Sequence, residues 1–359
     1  VIPLGRDLFK EDCFDELCRC VESCEVVINL AGASINKRWT EAYKQELYDS
    51  RICVTRQLVH AINTRSVKLE LFISASAVGY YPAFGEYDEY HDCRGMDFLA
   101  RLCGAWEEEA SACSSDVRLG ITRFGVVLSE DGGALKEMLR LQRFSRVSVV
   151  IGNGQQRFPW ISLFDLCRSF GYIIRNRQMR GVVNLVSPDL ITQKQLAHTL
   201  ARADKIRRII PLPEFFFRLK FGEGASFVTK GQTVHPSKLQ ESGFTYIYPT
   251  IEKLMNITDH HTVPELDVKR YMGRWYEIAR YENHFERGMT YTLLPDGKIR
   301  VENEGYKGGV HKKATGRAKQ PDPKNNPGKL KVAFFLWFYA DYYILELDAD
   351  YQYAVIGSS

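Results

Sequence analysis

The sequence predicts two domains of different class: an α/β unit built on a doubly wound parallel sheet, followed by an all-β unit of short strands. Three observations carry this. Over the first two thirds, apolar runs alternate with helix-like stretches, the pattern of buried strands covered on both faces. Over the last quarter, short β-branched or aromatic segments follow one another between turn residues. The composition also changes between the two: all nine cysteines lie between Cys13 and Cys167, whereas 16 of the 44 aromatic residues fall between Glu265 and Ser359. A length of 359 residues fits two domains better than one.

In order, Val26–Leu30 is a short apolar run ending in Ala31-Gly32-Ala33, Leu69–Ser74 is a second, and Leu119–Leu128 contains a third. Glu41–Asn63 and Met96–Ala112 are the helix-like stretches between them. In such sheets ligands sit at the carboxyl ends of the strands, so Ala31–Ala33, Ser74–Tyr81 and Arg123–Leu128 are the places to look for chemistry. In the last quarter, strands are expected over Arg274–Tyr281, Thr290–Leu294, Lys298–Asn303, Lys329–Phe334, Tyr342–Leu347 and Gln352–Ile356. Pro295-Asp-Gly297 and Asn325-Asn-Pro-Gly328 are the turns. Such a series is a sandwich or a barrel.

Charge and hydropathy exclude some functions. Lys plus Arg is 48 against 44 Asp plus Glu, a net charge of +4, with no dense basic run, so nucleic acid is not an expected partner. The longest apolar run, Val332–Ala340, is too short to cross a bilayer. An odd number of cysteines at irregular spacing suits reduced thiols in a cytoplasmic protein. Cys18, Cys20 and Cys24 do not share one helix face and no histidine lies near them in sequence, so no metal site is expected. The chain opens on Val1 inside a strand-like segment, and its N-terminus is expected to lie further upstream.

The motifs sharpen this. Val27-Ile-Asn-Leu-Ala-Gly-Ala-Ser-Ile35, Arg38-Trp39-Thr40, Ser50-Arg51-Ile52, Ile73-Ser-Ala-Ser-Ala-Val-Gly-Tyr-Tyr81, Trp106-Glu107, Arg123-Phe-Gly-Val-Val-Leu128 and Gly231-Gln-Thr-Val-His-Pro-Ser-Lys238 occur in that order. Together they resemble the sugar-nucleotide-epimerase-like family of extended short-chain dehydrogenases/reductases, over about 257 residues. The resemblance implies a Rossmann-like domain that binds NADP and acts on a small-molecule substrate as an oxidoreductase or epimerase. It assigns the cofactor to Arg6, Asn29, Ala31, Gly32, Ala33 and Arg51. Val1–Arg6 resembles the second strand of the family, which would bring Arg6 to the 2′-phosphate, where a guanidinium pairs bidentately. The Gly-rich turn with which the family opens does not occur here.

The wider superfamily uses Tyr-x-x-x-Lys, in which Lys lowers the Tyr pKa and Ser orients the substrate. No tyrosine before residue 257 has a lysine four positions on; Phe98 and Leu102 stand in that register, and Ser162 stands where many relatives carry a histidine. The expected catalytic residues are therefore Ser74, Ser76, Tyr80 and Tyr81, against the plainer reading that these hydroxyls satisfy backbone groups at a strand end.

Further on, Gly273-Arg-Trp-Tyr276 after Leu266-Asp-Val-Lys-Arg-Tyr-Met272, with Glu277-Ile-Ala-Arg280 and Tyr353-Ala-Val-Ile-Gly357, resembles the bacterial-type lipocalins. That implies an eight-stranded barrel, incomplete in this chain, whose last strand and helix are expected downstream. Gly273 and Trp275 are then structural, Trp275 packing across the closed end. A small hydrophobic molecule is the expected ligand, with Phe335 and Trp337 lining its site in the apolar run.

The expected domains are 1–257, a linker over 258–264, and 265–359. The leading functional reading is a reductase- or epimerase-like domain fused to a ligand-carrying lipocalin. The alternatives are a catalytically silent nucleotide-binding module and a pure hydrophobic-ligand carrier. Oligomeric state stays open.

Overall fold

The computed structural model describes residues 3–9, 13–66, 69–129, 132–255, 263–276, 288–307, 310–321, 323–324, 327–335 and 338–358. The chain divides into a larger unit, Gly5–Ser129 with Ala134–Asn256, and a smaller one around Ile257–Ser359. The expected linker, 258–264, lies largely outside the described residues.

The larger unit is built on four parallel strands: β1 (Val26–Asn29), β2 (Leu71–Ala77), β3 (Arg118–Phe124) and β4 (Gly181–Leu185), in that spatial order. Their apolar runs bury nearly every position of β2, as a central strand covered on both faces requires. Helix α1 (Phe14–Glu22) precedes β1, and α2 (Glu41–Thr64), α3 (Phe98–Ser111) and α4 (Leu163–Arg175) lie between successive strands. Three of these helices begin on a side chain that accepts a free backbone N–H: Thr40 from Tyr43, Asp97 from Ala100 and Ser162 from Asp165. Ser162, the expected histidine position, is thus a cap. Asp165 is fully buried and also accepts from the N–H groups of Ile247 and Tyr248 at 2.8 Å, pinning the end of this unit.

The strand expected within Leu119–Leu128 is found in β3, and the run breaks at Gly125, where a Cβ would stand 2.8 Å from the Pro159 carbonyl oxygen. Beyond the break, Val126–Ser129 leaves the main sheet and pairs with Trp160–Ser162. The strand expected over Val1–Arg6 is not found among the described residues: residues 3–5 are irregular and Arg6–Phe9 is a 3-10 turn. A strand needs a ladder partner, and β1 ends the four-strand order with nothing described beyond it.

The smaller unit is a curled antiparallel sheet in which every strand pairs with its chain neighbours. Its strands are β5 (Gly273–Tyr276), β6 (Gly288–Leu293), β7 (Ile299–Lys307), β8 (Val310–Lys319), β9 (Lys329–Phe335), β10 (Phe338–Leu347) and β11 (Ala354–Ser358). Gly273 opens the sheet at φ 120° and Gly297 closes the β6–β7 turn at φ 77°, both conformations that exclude most side chains. Trp275 stacks on Tyr271 at 4.8 Å and donates to its carbonyl oxygen at 2.8 Å. Tyr271, Tyr291, Val301, Leu330 and Ile344 form the core beside it.

Strand β8 lies outside every segment that the sequence marks as a strand. Strand β9 follows the expected Lys329–Phe334, and Phe335 pairs with Phe338 across β9 and β10.

Candidate active site

Two loops leave the carboxyl ends of β1 and β2, and they gather most of the expected residues. After β1, Asn29 is buried and donates to Thr55 at 2.8 Å, while its oxygen accepts from the Ala31 N–H at 3.1 Å. Ala33 N–H donates to Ser50 at 2.9 Å, and Arg51 donates to the carbonyl oxygens of Ala33 at 3.0 Å and Leu47 at 3.1 Å. The turn Ala31–Ala33 is therefore held from behind by α2, with Gly32 exposed. A Cβ at Gly32 would lie 2.8 Å from the Arg51 guanidinium carbon, so only glycine fits without moving that clamp. Asn29 and Arg51 shape the turn through the backbone. A backbone cradle with an open glycine suits close approach of a dinucleotide. The side chain of Arg6 lies outside the described residues.

The four expected catalytic hydroxyls differ in what they are free to do. Ser76 is buried and donates to Glu107 at 2.6 Å. Tyr81 is buried, donating to the Asp88 carbonyl oxygen at 2.8 Å, with Asn184 Oδ1 at 3.1 Å. Ser74 is 1% exposed and its hydroxyl has no hydrogen-bond partner among the described residues. Tyr80 alone is partly exposed, its hydroxyl 3.5 Å from Asp92. Burial raises the Tyr80 phenol above its usual pKa; Arg123 pulls it down, while Glu107 and Asp92 push it up.

Glu107 and Arg123, quoted above only as motif residues, form the centre of this region. The guanidinium donates from Nε and Nη2 to the two carboxylate oxygens at 2.8 and 2.7 Å, with both side chains at least nine-tenths buried. Burial alone would lower the Arg123 pKa, but the hydrogen bonds and charge of Glu107 raise it above the usual value. The guanidinium carbon lies 3.5 Å from the centre of the Tyr80 ring and 4.7 Å from that of Tyr81. A signal for this pair existed in the sequence: an arginine inside an apolar strand and a glutamate on the apolar face of a helix each require a buried partner. Cys103, one turn before Glu107, is also buried, and its thiol is pushed up to about 12 by burial.

Phe98 stands at the start of α3 and Leu102 one turn on, so this helix offers no phenol or ammonium in that register. Phe98 instead meets Trp39 edge-on at 5.3 Å, and Trp39 stacks with Phe227 at 6.3 Å. This aromatic group borders the Ala33 turn. In the smaller unit, Trp337 and the side chain of Phe335 lie outside the described residues. All nine cysteines are free thiols. Among the described residues no helix is long and apolar enough to cross a membrane, and no three His, Cys, Asp or Glu side chains gather to hold a metal ion.

Comparison with known proteins agrees with this architecture. Residues 4–185 match the NAD dependent epimerase/dehydratase family, residues 212–256 a domain of unknown function (DUF1731), and residues 266–359 a lipocalin-like domain. An epimerase family protein of Staphylococcus saprophyticus is 37% identical over 235 residues, covering 65% of this chain and 78% of that protein. The chloroplastic homolog of epimerase family protein SDR39U1 from Arabidopsis thaliana is 36% identical over 238 residues, 65% of this chain and 68% of that one. The crystal structure of human epimerase family protein SDR39U1 (isoform 2) with NADPH is similar at a TM-score of 0.63 and 33% identity, over 67% of this chain and 84% of that one. The chain belongs to the NAD dependent epimerase/dehydratase family and carries a lipocalin-like domain behind its epimerase part.

Proposed function

We propose that the larger unit is an NADP-dependent oxidoreductase or epimerase and that the smaller unit binds a small hydrophobic molecule. The observation that carries the first part is the Gly32 turn, in which Gly32 is exposed and its neighbours are held by Asn29, Ser50 and Arg51 at the carboxyl end of a parallel strand. The likeness to a human protein solved with NADPH supports NADP as the cofactor. The cofactor's part would be to carry a hydride. In this chain the Ala31–Ala33 backbone would hold it, Arg51 and Asn29 would keep that backbone in place, and Tyr80 would exchange a proton with the substrate. Free thiols throughout suit a cytoplasmic setting.

Calorimetry on the full chain tests this reading. NADPH should bind more tightly than NADH, and Gly32→Val should weaken binding at least tenfold. Equal affinity for both nucleotides would overturn the NADP assignment, and no binding of either would overturn the cofactor site.

A second reading is favoured by Phe98 and Leu102 and by the structural commitments of Ser76 and Tyr81. It makes the larger unit a nucleotide-gated binding module without turnover. NADPH binding that survives Tyr80→Phe, with no consumption across a panel of nucleotide sugars, ketones and aldehydes, would establish it.

A further inference from the structure

Buried ion pairs are costly. Taking two charges out of water commonly costs more than their attraction returns, and apolar replacements often stabilise. Here the pair is Arg123 from β3 and Glu107 from α3, both at least nine-tenths buried. Its remaining contacts are specific. Glu107 also accepts from Ser76, and the guanidinium carbon lies 3.5 Å from the centre of the ring of Tyr80, the only expected catalytic hydroxyl that is not fully buried. Packing alone does not require a charge at that place, since the apolar core formed by Ile52, Ala75 and Trp106 lies nearby.

We propose that Arg123, held by Glu107, is the positioning residue of this site: a fixed cation beneath the Tyr80 ring, in the part that lysine plays beside the tyrosine of the wider superfamily. The proposal rests on the reading of Tyr80 as the proton-exchanging group. A guanidinium against a phenol face attracts the ring through its quadrupole. It attracts a phenolate more strongly, because a full negative charge replaces the quadrupole. The usual lysine register on α3 holds Leu102, and the cation beside Tyr80 comes from the sheet instead. Bidentate pairing fixes the plane of the guanidinium, and Glu107 moderates the field that Tyr80 feels.

The charged or titratable groups that act on Tyr80 are Arg123 from β3, Glu107 from α3 and Asp92 from the following loop, with the Tyr81 phenol beside it. Their signs make the device testable. With Glu107→Gln the cation loses its neutralising partner, and the Tyr80 phenol should titrate about one unit lower. With Glu107→Gln combined with Arg123→Gln, a neutral pair that leaves no buried charge, it should titrate above the wild type. A pair that only supports the fold would move stability in both variants without shifting Tyr80 in opposite directions.

The experiment is a carbon NMR titration of the full chain labelled at the tyrosine ζ-carbon, with the Tyr80 signal assigned by its loss in Tyr80→Phe. Opposite shifts support the proposal. Shifts of the same sign, or a Glu107→Gln value within a few tenths of the wild type, overturn it. The titration needs no cofactor, so a failure to bind NADPH would overturn the functional reading and leave this result standing. Intact NADPH binding with an unmoved Tyr80 would overturn only the role of Arg123.

Discussion

At the scale of single residues, Glu107 and Arg123 combine a large energetic liability with a central position. Removing one partner leaves the other charge buried. Glu107→Ala should therefore destabilise the larger unit by about 3–5 kcal/mol, read as a lowered denaturation midpoint, whereas Tyr80→Phe should leave stability nearly unchanged. Cys103 gives a second residue-level test. Its folded pKa, pushed up from 9.0 to about 12 by burial, means that the folded state holds the thiol proton more tightly than the unfolded chain. Its contribution is fully present below pH 9 and is lost as pH rises through the window between 9 and 12. Brief iodoacetamide treatment at pH 8 should label the exposed Cys53 and Cys93 and spare Cys103 until the chain unfolds, as mass spectrometry would show. The sequence made the neighbourhood legible, because Ser74–Tyr81 and Ala31–Ala33 stand where strand ends are expected. It did not separate a free hydroxyl from a committed one. That distinction depends on Glu107 reaching Ser76 and on Asn184 reaching Tyr81, contacts between residues far apart in the chain.

At the scale of elements, the parallel strands were legible because burial on both faces leaves uninterrupted apolar runs. Strand β8 was not, because Val310–Lys319 is mostly polar and small and carries no alternation. The fold places it between β7 and β9, which supply the ladder on either side. Strand β8 contains one position where its neighbour comes unusually close. A Cβ at Gly316 would lie 2.6 Å from the Ala333 carbonyl oxygen and 2.7 Å from the Phe334 ring. Gly316→Ala should therefore cost the smaller unit about 1–3 kcal/mol. The same change at Gly288, whose nearest such atoms lie 3.8 Å away or more, should cost less. Comparing the urea midpoints of the two variants checks the ranking.

At the scale of the whole molecule, each unit encloses its own core, one between helices and a parallel sheet and one within a curled antiparallel sheet. Scanning calorimetry of the full chain should show two transitions. A ligand present at 100 times its dissociation constant stabilises the state it binds by about 2.7 kcal/mol. NADPH should thus raise the transition of the larger unit and a fatty-acid probe that of the smaller one. If both transitions move with either ligand, the units are thermodynamically coupled. The strand pairings also carry a kinetic consequence. In the smaller unit each strand needs only its chain neighbour, so hairpins can zip up one after another. In the larger unit the β1–β2 ladder needs Val26 to find Leu71, and the β3–β4 ladder needs Gly120 to find Gly181. Low contact order favours fast folding and long closures delay it. After dilution from denaturant, the aromatic core around Tyr271 and Trp275 should become ordered first. As the chain leaves the ribosome the order is reversed: the slow-folding half emerges first and has the rest of translation in which to close.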